Sequence, residues 1–223
     1  MSTYVLMKIL ESTPDRYDRG IRLLTLGRLD EAYDRLAAHI QPGDRVLDIG
    51  CGTGALTLRT LARGGDVTAM DINPEMMDVA EKKVVAYRRE TGETSGEVTF
   101  LEMGVAEMDE LETGGFDAVM SGLCFSELTD DEIFYALGHI ERILRVGGML
   151  LIGDEVPPEG ILRRLLYTLF RIPLTALTYL VTQTTTGAVR NLRSRVADAG
   201  LQIESIRRSG VGGFVELVAR KND

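Results

Sequence analysis

Val46-Leu47-Asp48-Ile49-Gly50-Cys51-Gly52-Thr53-Gly54-Ala55 decides the fold of this 223-residue chain. Its first half is a short apolar run from Arg45 to Ile49, too short for a helix and suited to a buried strand. Three glycines at alternate positions follow, and Gly54 to Arg63 then reads as a helix stopped by Gly64-Gly65. A glycine-rich turn between a strand and a helix lets backbone amides approach a ligand closely.

Working outward, the same alternation repeats. Asp66 to Met70 reads as a second strand and Pro74 to about Arg88 as a second helix. Val98 to Glu102 and Phe116 to Ser121 read as strands, Asp130 to Leu144 as a helix and Gly148 to Gly153 as a fifth strand. Strands alternating with helices of this length predict βαβ units and a parallel sheet covered on both faces. Toward the N-terminus, Asp30 to Ile40 has helical apolar spacing, and Gln41-Pro42-Gly43-Asp44 is a turn. At the other end a helix stops at Gly200, and Leu201 to Ile206 and Phe214 to Ala219 predict an antiparallel hairpin.

The turn points to a ligand. Gly50, Gly52 and Ala55 satisfy the dinucleotide form GxGxxA, and Asp71 closes the second strand 21 residues after Gly50. An acid there can accept hydrogen bonds from ribose hydroxyls, so an adenosine-containing ligand is expected. Asp48 separates the candidates. A pyrophosphate beside it would meet a like charge, which disfavours an NAD-dependent oxidoreductase. A ligand carrying a sulfonium and an α-ammonium would meet an opposite charge. That ligand is S-adenosylmethionine, with S-adenosylhomocysteine as its product.

Asp48-Ile49-Gly50-Cys51-Gly52-Thr53-Gly54 resembles the first motif of class I S-adenosylmethionine-dependent methyltransferases. Asp71-Ile72-Asn73-Pro74-Glu75-Met76 resembles the second, Phe116 to Ser121 the fourth-strand motif, and Arg142 to Leu150 the helix–turn–strand after it. The resemblance covers roughly residues 40–155. It implies a Rossmann-like, doubly wound α/β fold. The sheet would have seven mostly parallel strands, the last antiparallel, with helices on both faces. It implies transfer of a methyl group to an acceptor.

The resemblance also carries cofactor-binding expectations. Asp48, Gly50, Cys51 and Gly52 would line the first turn, Asp71 would hold the ribose, and Ile72 and Met76 would lie near the adenine. Ser121 and Gly122 would follow at the end of the fourth strand. Where many relatives place an Asp against the adenine amine, this chain has Val105, so backbone groups near Val105 and Ala106, or the side chain of Glu107, would serve. In relatives an N-terminal helix covers the cofactor, and Tyr17, with Arg19, is the candidate here. Tyr4 to Lys8 with Arg16 to Ile21 also resembles methyltransferase-like proteins of corrinoid-protein systems, a hint about partners. A non-catalytic S-adenosylmethionine-binding partner of such a system is therefore an alternative.

In-line displacement at a sulfonium gains most from positioning and desolvation, and needs a base only for a protonated acceptor. The chain offers no compelling base. His39 and His139, its only histidines, fall in helices without a partner motif. Cys51 and Cys124 read as small packing residues, with nothing nearby in sequence to lower a thiol pKa. No metal-ligand spacing stands out.

Composition bounds the rest. Apolar residues make up 44% and charged residues 26%, the balance of a folded globular chain. Two cysteines are no disulfide framework, and a cytoplasmic setting is expected. A formal net charge of −9 argues against bulk nucleic-acid binding. The charge is uneven: residues 1–160 hold 15 basic against 30 acidic residues, and residues 161–223 hold 10 against 4. One domain is expected, with a helical lid at 1–41, a cofactor core at 42–156, a substrate-covering insertion at 157–187, and a last helix and hairpin at 188–223. In the insertion, Ile161, Leu162, Leu165, Leu166, Leu169 and Phe170 form one helical face. Three readings stand for 161–186: a lid over a small or amphipathic acceptor, a surface for a membrane or protein partner, or a helix packed on the core.

Overall fold

The structure is a computed structural model that describes residues 18, 22, 25, 27–92, 96–157, 188–209 and 213–222. Its elements follow the sequence pattern closely. α1 (Arg28–Ala37) leads to β1 (Arg45–Ile49), α2 (Ala55–Leu61), β2 (Asp66–Asp71), α3 (Pro74–Thr91) and β3 (Val98–Glu102). Then come β4 (Phe116–Gly122), α4 (Asp130–Ile143), β5 (Leu144–Glu155), α5 (Leu192–Asp198), β6 (Leu201–Arg208) and β7 (Phe214–Lys221). Short 3-10 turns at Val105–Glu110 and Phe125–Glu127 occupy two connections.

The seven strands form one sheet in the order β3-β2-β1-β4-β5-β7-β6. β1 lies parallel between β2 and β4, and only β7 runs against its neighbours β5 and β6. The expected doubly wound sheet with an antiparallel last strand is therefore present. From β1 the chain winds outward to β2 and β3, then returns to place β4 on the other side. The winding direction reverses between β1 and β4, and a crevice opens beyond their carboxyl ends, where such sheets bind ligands.

Alternate residues of the central strands feed two cores. Leu47, Ile49, Val119 and Ile152 pack under α4 with Ile133, Leu137 and Ile140. Val46, Ala118, Met120 and Leu151 pack under α1 with Leu29, Tyr33 and Leu36. Burial on both faces explains why these strands read as continuous apolar runs. α1 buries Leu29, Ala32, Tyr33, Leu36 and Ala37, one helical stripe. Arg35 fastens its exposed side by donating to both carboxylate oxygens of Glu216 on β7, at 2.8 and 2.7 Å.

Several boundaries differ from the sequence pattern, those of α3 and β5 among them. α3 continues to Thr91 and is capped by Gly92 in the left-handed region. β5 begins at Leu144, because Leu144 pairs with Phe116 before an irregularity restores pairing at Ala118 and Met149. It also runs on to Asp154 and Glu155, which pair with Val215 and Phe214. Among the described residues no helix is long and apolar enough to cross a membrane.

Candidate active site

Two clefts open at the reversal point between β1 and β4. The first, of about 250 Å³, is bounded by Asp18, Arg22, Tyr33, Asp48, Thr53 and Lys83 among others. The second, of about 330 Å³, runs from Ile49 past Asp71, Ile72 and Met76 to Val105 and Leu128. Gly50, Gly52, Gly122 and Leu123 line both, so the clefts meet over the glycine turn and the end of β4.

Asp48 sits where β1 ends, 1% exposed. Thr57, on the first turns of α2, donates its hydroxyl to Asp48 Oδ2 at 2.6 Å. Oδ1 accepts no hydrogen bond among the described residues. Burial pushes the Asp48 carboxyl up to about 6, against the Thr57 hydrogen bond, and the nearby Asp71 adds to the rise. A half-satisfied buried carboxylate on a cleft wall is costly when charged and favours an incoming cation donor. Gly50 lies next, with φ at +66°, and a methyl group there would stand 2.6 Å from the Cβ and Sγ of Cys124. Only glycine lets the turn after β1 lie this close to the segment after β4.

Asp71 ends β2 and ties the turn down. Its Oδ2 accepts from the Gly52 amide at 2.7 Å and its Oδ1 from the Asn73 amide at 2.9 Å. Each oxygen keeps a further lone pair, and Asp71 lines the second cleft. Asn73 caps α3 by accepting from the amides of Glu75 and Met76. Ile72 is 75% exposed and lines this cleft. Met76 is buried and lines the same cleft.

Past β3, Val105 lines the second cleft, while Ala106 lines neither. Its carbonyl accepts from the Tyr135 hydroxyl at 3.3 Å. Glu107 turns back to accept from the Gly104 amide at 2.6 Å, capping its own 3-10 turn. Glu107 lines neither cleft. Ser121 is also absent from both cleft walls. It is fully buried and donates to the Ile49 carbonyl at 3.2 Å, joining β4 to β1.

After β4 the chain turns sharply. Leu123 has φ at +62°, costly for a side-chain-bearing residue, and its amide donates to the Gly153 carbonyl at 2.8 Å. Asp154, fully buried, accepts from the Ser126 amide at 3.3 Å and the Glu155 amide at 2.6 Å. Burial raises its carboxyl to about 7. Burial raises the Cys51 and Cys124 thiols as well, reinforced by Asp48 and Asp71 for Cys51 and by Glu127 and Asp154 for Cys124. Both stay protonated, which suits packing residues rather than nucleophiles.

The first cleft has a charged rim. Asp18 accepts from the Thr53 hydroxyl at 2.5 Å and forms an ion pair with Lys83, which also donates to the Thr53 carbonyl at 2.9 Å. Arg22 lies 3.7 Å from Asp30. Tyr33 lines the same cleft. Sequence reading passed over Asp18, Arg22, Tyr33, Thr57, Lys83 and Asp154. The acid after an apolar strand was a usable signal for Asp154, since Asp48 and Asp71 stand in the same kind of place. Thr57 comes from the helix that directly follows the glycine turn, and the others come from positions farther away in the chain.

Of the remaining expected residues, Asp48, Gly50, Cys51, Gly52, Asp71, Ile72, Met76, Val105 and Gly122 are gathered on the two cleft walls. Tyr17, Arg19 and the 161–186 segment lie outside the described residues. His39 and His139 line neither cleft; His139 accepts from Arg142 at 3.2 Å and its ring meets that of Tyr135 at a 41° tilt. Among the described residues no group of His, Cys, Asp or Glu is arranged to hold a metal ion.

Comparison with known proteins agrees with this geometry. The family described as a methyltransferase domain matches residues 46–148. A demethylmenaquinone methyltransferase of Tropheryma whipplei (strain Twist) is 31% identical over 163 residues, 70% of this chain and 62% of that protein. Another, from Thermus thermophilus, is 34% identical over 148 residues, 64% of this chain and 62% of that protein. The chain thus spans about three fifths of the length of these curated relatives. Among solved structures, an O-methyltransferase family protein of Burkholderia thailandensis superposes with a TM-score of 0.66 at 22% identity. That match covers 94% of this chain and 60% of the other, and at such identity it is a likeness of fold. The hint of a corrinoid-system partner finds no support in these likenesses.

Proposed function

The chain belongs to the class I S-adenosylmethionine-dependent methyltransferase family, and from that premise we propose that it transfers a methyl group to a small or amphipathic acceptor by in-line displacement. When bound, S-adenosylmethionine supplies an electrophilic methyl on a positively charged sulfur. The observation that carries the reading is the buried, half-satisfied Asp48 on the wall of a cleft continuous with Asp71 and Ile72. Asp48 Oδ1 would accept from the α-ammonium, and that cation would hold the carboxyl ionised despite its burial. Asp71 would accept from the ribose hydroxyls. Ile72, Met76 and Val105 would enclose the adenine.

No histidine lines either cleft, and in-line displacement at a sulfonium gains most of its rate from alignment and exclusion of water. The Tropheryma whipplei and Thermus thermophilus relatives are named as demethylmenaquinone methyltransferases, which supports a small-molecule acceptor. Thermal unfolding with S-adenosylhomocysteine or NAD tests the ligand. A ligand at a hundredfold its Kd stabilises by about 2.7 kcal/mol. Stabilisation by S-adenosylhomocysteine and not NAD is expected, and the reverse would sink the proposal. Methyl-label transfer in a lysate, with mass analysis of the labelled product, would identify the acceptor.

A further inference from the structure

Gly122 and Gly153 face each other in register at the carboxyl ends of β4 and β5. Neither has a side chain, and the ring of Tyr33 lies across both. A methyl group at Gly122 would collide with the Tyr33 hydroxyl and stand 2.6 Å from Cζ. One at Gly153 would stand 3.3 Å from Tyr33 Cε1 and 3.2 Å from Phe214 Cζ. The paired glycines thus form a slot that admits one aromatic ring from α1 to the sheet edge. Arg59 holds the ring in place, with its guanidinium 5.8 Å from the ring centre. Arg59 is itself fastened to Asp34 at 2.6 Å, Asp30 at 2.8 Å and the Ala55 carbonyl at 2.9 Å.

The slot brings the hydroxyl of a buried tyrosine to Gly122, one of the four residues common to both clefts. A ligand with its ammonium at Asp48 and its ribose at Asp71 must pass its sulfur through that junction. We propose that the Tyr33 hydroxyl oxygen contacts the sulfonium centre of bound S-adenosylmethionine and directs its methyl group toward the acceptor. The inference rests on the function proposed above and deepens it at the same site. A phenol oxygen has two lone pairs as well as its proton, so it can face a cation while donating elsewhere. Its lone pairs attract a positive sulfonium and gain little from a neutral thioether. A purely structural tyrosine would not distinguish the two.

Tyr33→Phe keeps the ring in the slot and removes only the oxygen. Calorimetry on wild type and variant, with S-adenosylmethionine and S-adenosylhomocysteine as separate ligands, reads the effect. The variant is expected to lose affinity for S-adenosylmethionine about fivefold or more, and less than about twofold for S-adenosylhomocysteine. Equal losses for both ligands, or no loss for either, would overturn the inference and leave the proposed function standing. If wild type bound neither ligand, both would fall together.

Discussion

Thr57 grips Asp48 from one side only, holding Oδ2 at 2.6 Å while Oδ1 accepts nothing from the described residues. The threonine fixes the orientation of the carboxylate and leaves its second oxygen for a ligand. Asp48→Asn should retain the fold and weaken S-adenosylhomocysteine about 10- to 100-fold, the loss of one charge-assisted hydrogen bond. Wild-type affinity should also fall as pH drops through about 6, where Asp48 takes up a proton. The variant should show no such step. Calorimetry between pH 5 and 8 checks both, and equal pH profiles would remove Asp48 from the ammonium site.

Asp154 predicts a pH effect on stability. Its carboxyl moves from 3.8 to about 7 on folding, so the folded chain binds the proton more tightly than the unfolded chain. Stability from this group is full below about pH 3.8 and is lost as pH rises through about 7. Asp154→Asn should therefore flatten the decline in unfolding free energy between pH 5 and 8. Urea titrations across that range would show it. Asp48 adds a smaller decline of the same sign, between 3.8 and about 6.

Asp71 joins two backbone amides, Gly52 at 2.7 Å and Asn73 at 2.9 Å. Asp71→Ala frees both and should cost about 1–3 kcal/mol of stability besides abolishing ligand binding. Asp71→Asn, with one acceptor oxygen left, should fall between. Denaturant unfolding measures the first effect, and an unchanged midpoint for the alanine variant would contradict the tie between turn and strand.

Arg35 and Glu216 join α1 to β7, and Glu216 is nearly buried. Arg35→Ala should cost about 1–3 kcal/mol, since a carboxylate is left without its partner. Arg35→Ala with Glu216→Gln should recover part of that loss. If the double variant were as unstable as the single one, lost packing of Arg35 rather than the stranded charge would explain the cost.

The amino-acid order alone determined the strands, the helices and the glycine turn. These depend on the periodicity of consecutive residues and on glycine and proline between them. It also determined the kind of ligand to expect, because Asp48 and Asp71 lie on short local motifs. Their detailed duties were not local. Thr57 reaches Asp48 only because α2 packs back on β1, and Glu107, which looked free to meet adenine, is held by Gly104. Tyr33 gave no motif at all. Its place comes from the pairing of Gly122 with Gly153 across two strands 31 residues apart, and from α1 lying over both. Sequence periodicity says which residues turn inward; only the order of strands in the sheet decides which of them meet. The tertiary structure therefore decided the junction of the clefts, the burial of Asp48 and Asp154, and the presence of a phenol at the junction.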